Sequence, residues 1–188
     1  MRIVAGNMRG LKLEGGDDDS IRPTADRTRE GLFNVLAHNS RFQTGNGPCP
    51  TGRTVLDLFA GSGALGLEAL SRGAVRITFV EKAETSLRVL NRNIAKARAG
   101  DRTRVIRRDA LKPGRAPTAH DLVLLDPPYG SDLAGPALLT ARDGGWLSPG
   151  AFVIVETDGA DTFAWPEGFT GIDHRKHGRA ALHFGQAD

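Results

Sequence analysis

One short stretch limits the folds open to this chain: residues 54–70, TVLDLFAGSGALGLEAL. It reads as a buried strand carrying Val55, Leu56 and Leu58, then a glycine-rich turn, then a helix. The turn Gly61-Ser62-Gly63-Ala64-Leu65-Gly66 is G-x-G-x-x-G in the setting that gives the pattern meaning, after a strand and opening a helix. Glycine there lets the backbone turn sharply and come close to a ligand. The helix N-terminus behind it offers unpaired N–H groups. Twenty residues past Gly61, at the end of the apolar run 75–80, stands Glu81, whose carboxylate can accept hydrogen bonds from a ribose diol. These features predict a nucleoside-binding half-fold.

The glycine pattern alone fits either a dinucleotide or S-adenosylmethionine. Asp57, four residues before Gly61 and inside the strand, favours the second. A buried acid is costly unless a charge or a hydrogen-bond donor meets it. A sulfonium cofactor brings a positive centre and an ammonium, whereas a pyrophosphate would be repelled.

Along the rest of the chain, strands at 75–80, around 105–106, at 121–126 and at 151–156 alternate with helices at 83–97 and 133–141. That alternation predicts an α/β fold: a Rossmann-like, doubly wound, mostly parallel sheet. Residues 169–174 and 179–184 read as a closing antiparallel hairpin, and residues 2–13 as a small N-terminal hairpin turning near Gly6-Asn7. A helix follows with Thr24 as its N-cap and Leu32, Phe33, Val35 and Leu36 as its apolar face. The expected division is 1–38 (hairpin and helix, covering the cofactor site), a linker at 39–53, and an S-adenosylmethionine-binding domain at 54–188. Arg22, Arg27 and Arg29 sit where a helix dipole favours acids, so either an anionic partner or Asp26 and Glu30 must meet them. Ligands bind beyond the carboxyl ends of such strands, so Gly61, Glu81, Asp109 and residues 126–129 should converge on one rim. Arg88, Arg92 and Lys96 fall toward the opposite rim and read as a solvated face.

At that rim stands Asp126-Pro127-Pro128-Tyr129. Two prolines end the strand and stiffen it. The Asp126 carboxylate and the Pro127 carbonyl are left as outward acceptors beside an aromatic ring. This arrangement suits a planar exocyclic amine: two acceptors take its two N–H groups while Tyr129 stacks on the ring, a contact worth about 1–3 kcal/mol per base.

The D-P-P-Y block resembles the signature of S-adenosylmethionine-dependent amino methyltransferases. Together with Arg22-Pro23-Thr24, Arg27, Arg29-Glu30, Leu32-Phe33-Asn34 and the run from Leu58 to Arg72, the chain resembles the bacterial RsmD family over most of its length. The resemblance implies transfer of a methyl group to a guanine N2 in small-subunit (16S) ribosomal RNA, free or in the assembling subunit. It implies Asp126, Pro127, Pro128 and Tyr129 as the catalytic group. It also implies a cofactor site of Asp57, Ala60, Gly61, Ser62, Gly63, Gly66, Glu81, Lys82, Asp109 and Ala110, with Asp109 and the Ala110 N–H toward adenine. Arg2, Arg9, Lys12, Arg22, Thr24 and Arg27 are expected to meet RNA. Competing readings are a DNA adenine-N6 or protein-glutamine methyltransferase and, from a different class, a nucleotide-binding oxidoreductase or non-catalytic module. The first pair usually carries Asn at the position of Asp126.

Composition adds bounds. The chain of 188 residues has a net charge of +3 and a pI near 9.4, weakly in favour of an anionic partner. No apolar run approaches the roughly 18 residues of a membrane span, and the N-terminus lacks a long apolar signal core. With a single cysteine, Cys49, a reducing compartment and a cytoplasmic location are expected. The five histidines lack ligand spacing, so no metal is expected; nor is a partner subunit, the chain being read as a monomer.

Overall fold

The structure, a computed structural model, describes residues 1–15, 22–43 and 47–188, with side chains in the first helix described from Asp26 onward. Its strands are β1 (Thr54–Leu58), β2 (Arg76–Glu81), β3 (Thr103–Arg107), β4 (His120–Leu125), β5 (Leu147–Asp158), β6 (Phe169–His177) and β7 (Ala180–Ala187). Its α-helices are α1 (Arg22–His38), α2 (Ala64–Ser71), α3 (Glu84–Lys96) and α4 (Ala134–Asp143). The seven strands form one sheet in the order β3-β2-β1-β4-β5-β7-β6. The pairs from β3 to β5 are parallel, and β7 runs antiparallel between β5 and β6. This is the doubly wound sheet with a C-terminal hairpin that the strand and helix alternation predicts, with strand order reversing between β1 and β4.

Side chains alternate across the sheet. Val55, Ile77, Phe79, Leu122, Leu124 and Ile154 face one apolar layer, while Leu56, Leu58, Val80, Val123, Leu125 and Val155 face the other. Helix α3 places Leu87, Leu90 and Ile94 on a single stripe against the first layer, and α2 adds Leu67 and Leu70. Helix α4 covers the second layer with Ala137, Leu138 and Ala141. Each fully buried leucine or phenylalanine contributes about 1.5–3 kcal/mol.

The N-terminal segment is fastened to this frame. An antiparallel bridge joins Arg2 to Lys12, and the turn at Gly6 and Asn7 docks on the end of α2. The Asn7 N–H donates to the Ser71 carbonyl at 2.9 Å, filling an acceptor that a helix C-terminus leaves open. Gly6 has φ +83°, and a Cβ there would collide with that same carbonyl. Behind the turn, buried Glu68 accepts from the Val4 and Ala5 N–H groups and pairs with Arg72 and Arg29. Ile3, Leu13, Leu32, Phe33 and Leu36 lie in the same apolar cluster as Phe79 and Leu124.

Four local expectations need correction. Helix α1 begins at Arg22, so Thr24 lies in its first turn instead of capping it. Strand β4 ends at Leu125, one residue before the acid. Arg92 and Lys96 do not form a merely solvated face: both hold Glu14, at 2.5 and 2.7 Å, and strap the end of the hairpin segment to α3. The stretch 39–53 buries Phe42 and Cys49 despite its linker-like composition; residues 44–46 within it lie outside the described residues.

Candidate active site

Strand register brings the site together. Ile106, Val80, Leu58, Leu125 and Val155 occupy one row across β3, β2, β1, β4 and β5. One step further along the strands come Arg107, Glu81, Phe59, Asp126 and Glu156. Because side chains alternate, this step returns Glu81, Asp126 and Glu156 to the face on which Asp57, Phe79, Leu124 and Ile154 lie, whereas Phe59, at positive φ, packs with the Leu56 and Leu58 layer. Three acids from three strands therefore meet at one rim, above a fourth.

They border a cavity of about 560 Å³, within the range of small-ligand and cofactor sites. Gly61, Glu81, Lys82, Asp109, Ala110 and residues 126–129 all line it, as the expected convergence requires. Phe59, Val80 and Ala110 supply apolar wall. Asp57, Ala60, Ser62, Gly63 and Gly66 are not among the lining residues. Asp57 lies beneath the loop and accepts from the Gly66 N–H at 2.9 Å. The Ala60 N–H donates to the Val80 carbonyl, and the Ser62 carbonyl accepts from the Asn93 amide. Gly66 lets α2 press on β2, since a Cβ would strike the Phe79 ring and come within 2.8 Å of Ile77. Gly63, at φ +78°, would collide with Leu90. Of the three loop glycines Gly61 alone lines the cavity, at φ +52°, where a Cβ would meet only the Phe59 carbonyl at 3.9 Å.

Glu81 ties the loop to the strand end. Its Oε2 accepts from the Gly61 N–H at 2.8 Å, and its Oε1 from the Lys82 and Ala83 N–H groups, each at 2.7 Å. A carboxylate offers about four lone-pair sites, so roughly one remains for a ribose hydroxyl. Asp109 accepts from the Leu111 N–H and pairs with the Lys82 ammonium at 2.9 Å. Those two contacts, the backbone one first, hold its carboxyl below the usual range.

Burial and crowding raise two of these acids. Burial pushes the Asp57 carboxyl up to about 8, against the Gly66 N–H and with the Glu81 charge adding to it. Asp126 is exposed to the cavity it lines, yet protein crowds it on the remaining sides. Desolvation, then the charges of Glu156 and Asp57, raise it well above the usual carboxylate range. Crowded acids of this kind mark functional sites.

Tyr129 is the exposed aromatic at the tip, 44% accessible. Its hydroxyl donates to Glu156 Oε1 at 2.8 Å, and the Arg179 guanidinium lies 5.7 Å from its ring centre. Arg179 in turn pairs with Asp158. Sequence reasoning assigned no role to Glu156, although the strand-end rule that picked out Glu81 applies to it equally. It also passed over Phe59, which lines the cavity at φ +59°, a conformation rare for a bulky residue and a local store of strain.

Arg2, Lys12 and Arg27 border a separate concavity beside Met1 and Glu30, and Arg9 is exposed on the hairpin turn. The side chains of Arg22 and Thr24 lie outside those described. Arg29 is resolved in favour of internal pairing: it is 4% exposed and holds Asp26, the Arg2 carbonyl and Glu68. Among the described residues no group of three His, Cys, Asp or Glu is arranged to hold a metal, and no helix is long and apolar enough to cross a membrane.

A family model described as Conserved hypothetical protein 95 matches residues 1–186. The chain is 39% identical over 159 residues to ribosomal RNA small subunit methyltransferase D of Escherichia coli K12, covering 84% of this chain and 75% of that one. Against the protein of the same name from Haemophilus influenzae the identity is 36% over 185 residues, 95% of this chain and 89% of that one. Among solved structures, the Escherichia coli protein yhhF matches with a TM-score of 0.81 at 35% identity, over 100% of this chain and 98% of that one.

Proposed function

The chain belongs to the family described as Conserved hypothetical protein 95, the RsmD family, and from that premise we propose that it is a ribosomal RNA methyltransferase that uses S-adenosylmethionine to methylate a guanine N2 in the small-subunit RNA. The single observation that carries the reading is the meeting of Gly61, Glu81 and Asp109 with the Asp126–Tyr129 tip around one cavity. Family membership speaks against the oxidoreductase alternative, and Asp126 instead of Asn speaks against the adenine and glutamine alternatives.

The acids fit the cofactor. Glu81, Asp126 and Glu156 make a rim, with Asp57 buried beneath it, that suits a sulfonium and an ammonium and would repel a pyrophosphate. S-adenosylmethionine supplies, when bound, a methyl group on a positively charged sulfur. Gly61 and Glu81 would hold its ribose, and Asp109 with the Ala110 N–H its adenine. Asp57 fixes the N-terminus of α2 through Gly66.

A guanine N2 lone pair is delocalised into the ring and is a poor nucleophile. Asp126 and the Pro127 carbonyl accept its two hydrogens, favour pyramidal geometry and aim the lone pair. Tyr129 receives the unstacked base on its ring face. Orientation and fixed acceptors supply most of the acceleration. When N2 gains the methyl it sheds one proton, and Asp126 is positioned to take it.

The test is methyl transfer from labelled S-adenosylmethionine to small-subunit RNA and to assembling subunits, with mass-spectrometric identification of the modified nucleoside. N2-methylguanosine is expected. Asp126→Ala should lower turnover by at least about 100-fold, the loss typical of a removed transition-state contact, with cofactor affinity by calorimetry within a few-fold of wild type. Wild-type turnover in that variant would discard the role given to Asp126.

A further inference from the structure

Glu156 stands one strand over from Asp126, at the same step beyond the β4–β5 register and on the same face of the sheet. Adjacent strands lie about 4.8 Å apart, so the two carboxylates are lateral neighbours at the cavity wall. The Glu156 Oε1 accepts from the Tyr129 hydroxyl at 2.8 Å; its Oε2 accepts no hydrogen bond from a described residue. One oxygen orients the stacking ring, and the other is left beside the place where a base resting on that ring presents its edge.

We propose that Glu156 is the specificity residue for guanine, its Oε2 accepting the base N1–H while Asp126 and the Pro127 carbonyl hold the N2 hydrogens next to it. The inference rests on the guanine-N2 reading above. Guanine presents contiguous donors at N1 and N2, matching acceptors on contiguous strands. A purine with an unprotonated N1 would turn a lone pair toward the carboxylate and leave a buried acceptor unpaired, the condition under which sites discriminate most sharply. Donors from guanine would offset the burial and the Glu156 and Asp57 charges that raise Asp126 in the free protein, and the burial that raises Glu156. The positive field of Arg29 and the Tyr129 hydroxyl already oppose the rise that burial imposes on Glu156.

The experiment compares two bases at the position that the wild-type enzyme methylates in small-subunit RNA: guanine, and 2,6-diaminopurine placed there by synthesis and ligation. Both carry the 2-amine, but N1 is a donor in the first and an acceptor in the second. Wild type should favour guanine in kcat/KM by roughly tenfold to a hundredfold, the range for a hydrogen bond to a charged group. In Glu156→Gln the amide oxygen keeps the Tyr129 contact and the amide nitrogen offers a donor to N1. The preference should therefore narrow by roughly tenfold or invert. Tyr129→Phe, which removes the hydroxyl and keeps the ring, should leave the ratio unchanged; a purely structural Glu156 would make the two variants behave alike. Cofactor affinity within a few-fold of wild type shows that each variant is folded. An unchanged ratio in Glu156→Gln overturns the proposal and leaves the guanine-N2 reading standing. Transfer by wild type to no guanine amine at all overturns both.

Discussion

Asp126 carries most of the proposed chemistry, and its affinity for a proton sets the pH range in which that chemistry runs. Burial raises its carboxyl first, and the charges of Glu156 and Asp57 raise it further. The ionised form accepts both amine hydrogens, whereas the protonated form points an O–H at the amine and loses an acceptor. Activity should therefore fall as pH falls, with an acidic limb in kcat/KM displaced above the ordinary carboxylate range. Glu156→Gln removes a like charge and should move that limb to lower pH. A pH–rate profile checks both; a limb at the same pH in the two proteins would remove the coupling. At this scale the place of Asp126 on the cavity rim was legible in its two prolines and its tyrosine. Its strongest neighbour was not, because Glu156 lies 30 residues away and only strand pairing makes the two adjacent.

Helix α2 is an element with two tasks. Its N-terminus closes the glycine loop, and its far end receives the N-terminal turn through Glu68 and Ser71. Glu68 is fully buried, pairs with Arg72 at 2.7 Å and lies 3.5 Å from the buried Arg29. Removing one partner of a buried ion pair typically costs about 3–5 kcal/mol, because the other charge is left uncompensated. Glu68→Ala should lower stability by that order in urea unfolding and should speed amide exchange at Val4 and Ala5 above the global rate. A stability loss under about 0.5 kcal/mol, the range of an ordinary surface change, would show that the network does not hold the hairpin. The helix itself was readable from its glycines and apolar spacing. Its acid was not readable as an anchor, since a glutamate in a helix is unremarkable until a hairpin lands on it.

For the whole molecule, the basic residues expected to meet RNA belong to the N-terminal segment and α1. Arg2 and Lys12 form the bridge that closes the N-terminal hairpin, Arg9 is exposed at its turn, and Arg27 follows on α1. If this face meets RNA phosphates, reversing Arg2, Arg9 and Lys12 to Glu should weaken binding. It should also flatten the plot of log affinity against log salt by roughly 2, since each phosphate contact contributes about 0.7–0.9 to that slope. Filter binding of small-subunit RNA across a salt series measures it, and an unaltered slope would take the hairpin off the RNA surface. Arg92 and Lys96, on one face of α3, are engaged with Glu14 and are weaker candidates for the same face.

The amino-acid sequence by itself determined the strand–loop–helix unit, the alternation that makes a parallel sheet, and the end of the fourth strand at a proline-stiffened tip. Each is a matter of spacing within a few residues, where propensity, periodicity and φ restrictions act directly. Tertiary structure alone decided that Gly63 and Gly66 serve packing while Gly61 faces the cavity, that Glu14 and Glu68 fasten the N-terminal segment, and that Glu156 completes the acid rim. The physical reason is register: hydrogen-bonded pairing across β1, β2, β4 and β5 brings residues distant in the chain to one row, and nothing local to any of them records which row that is.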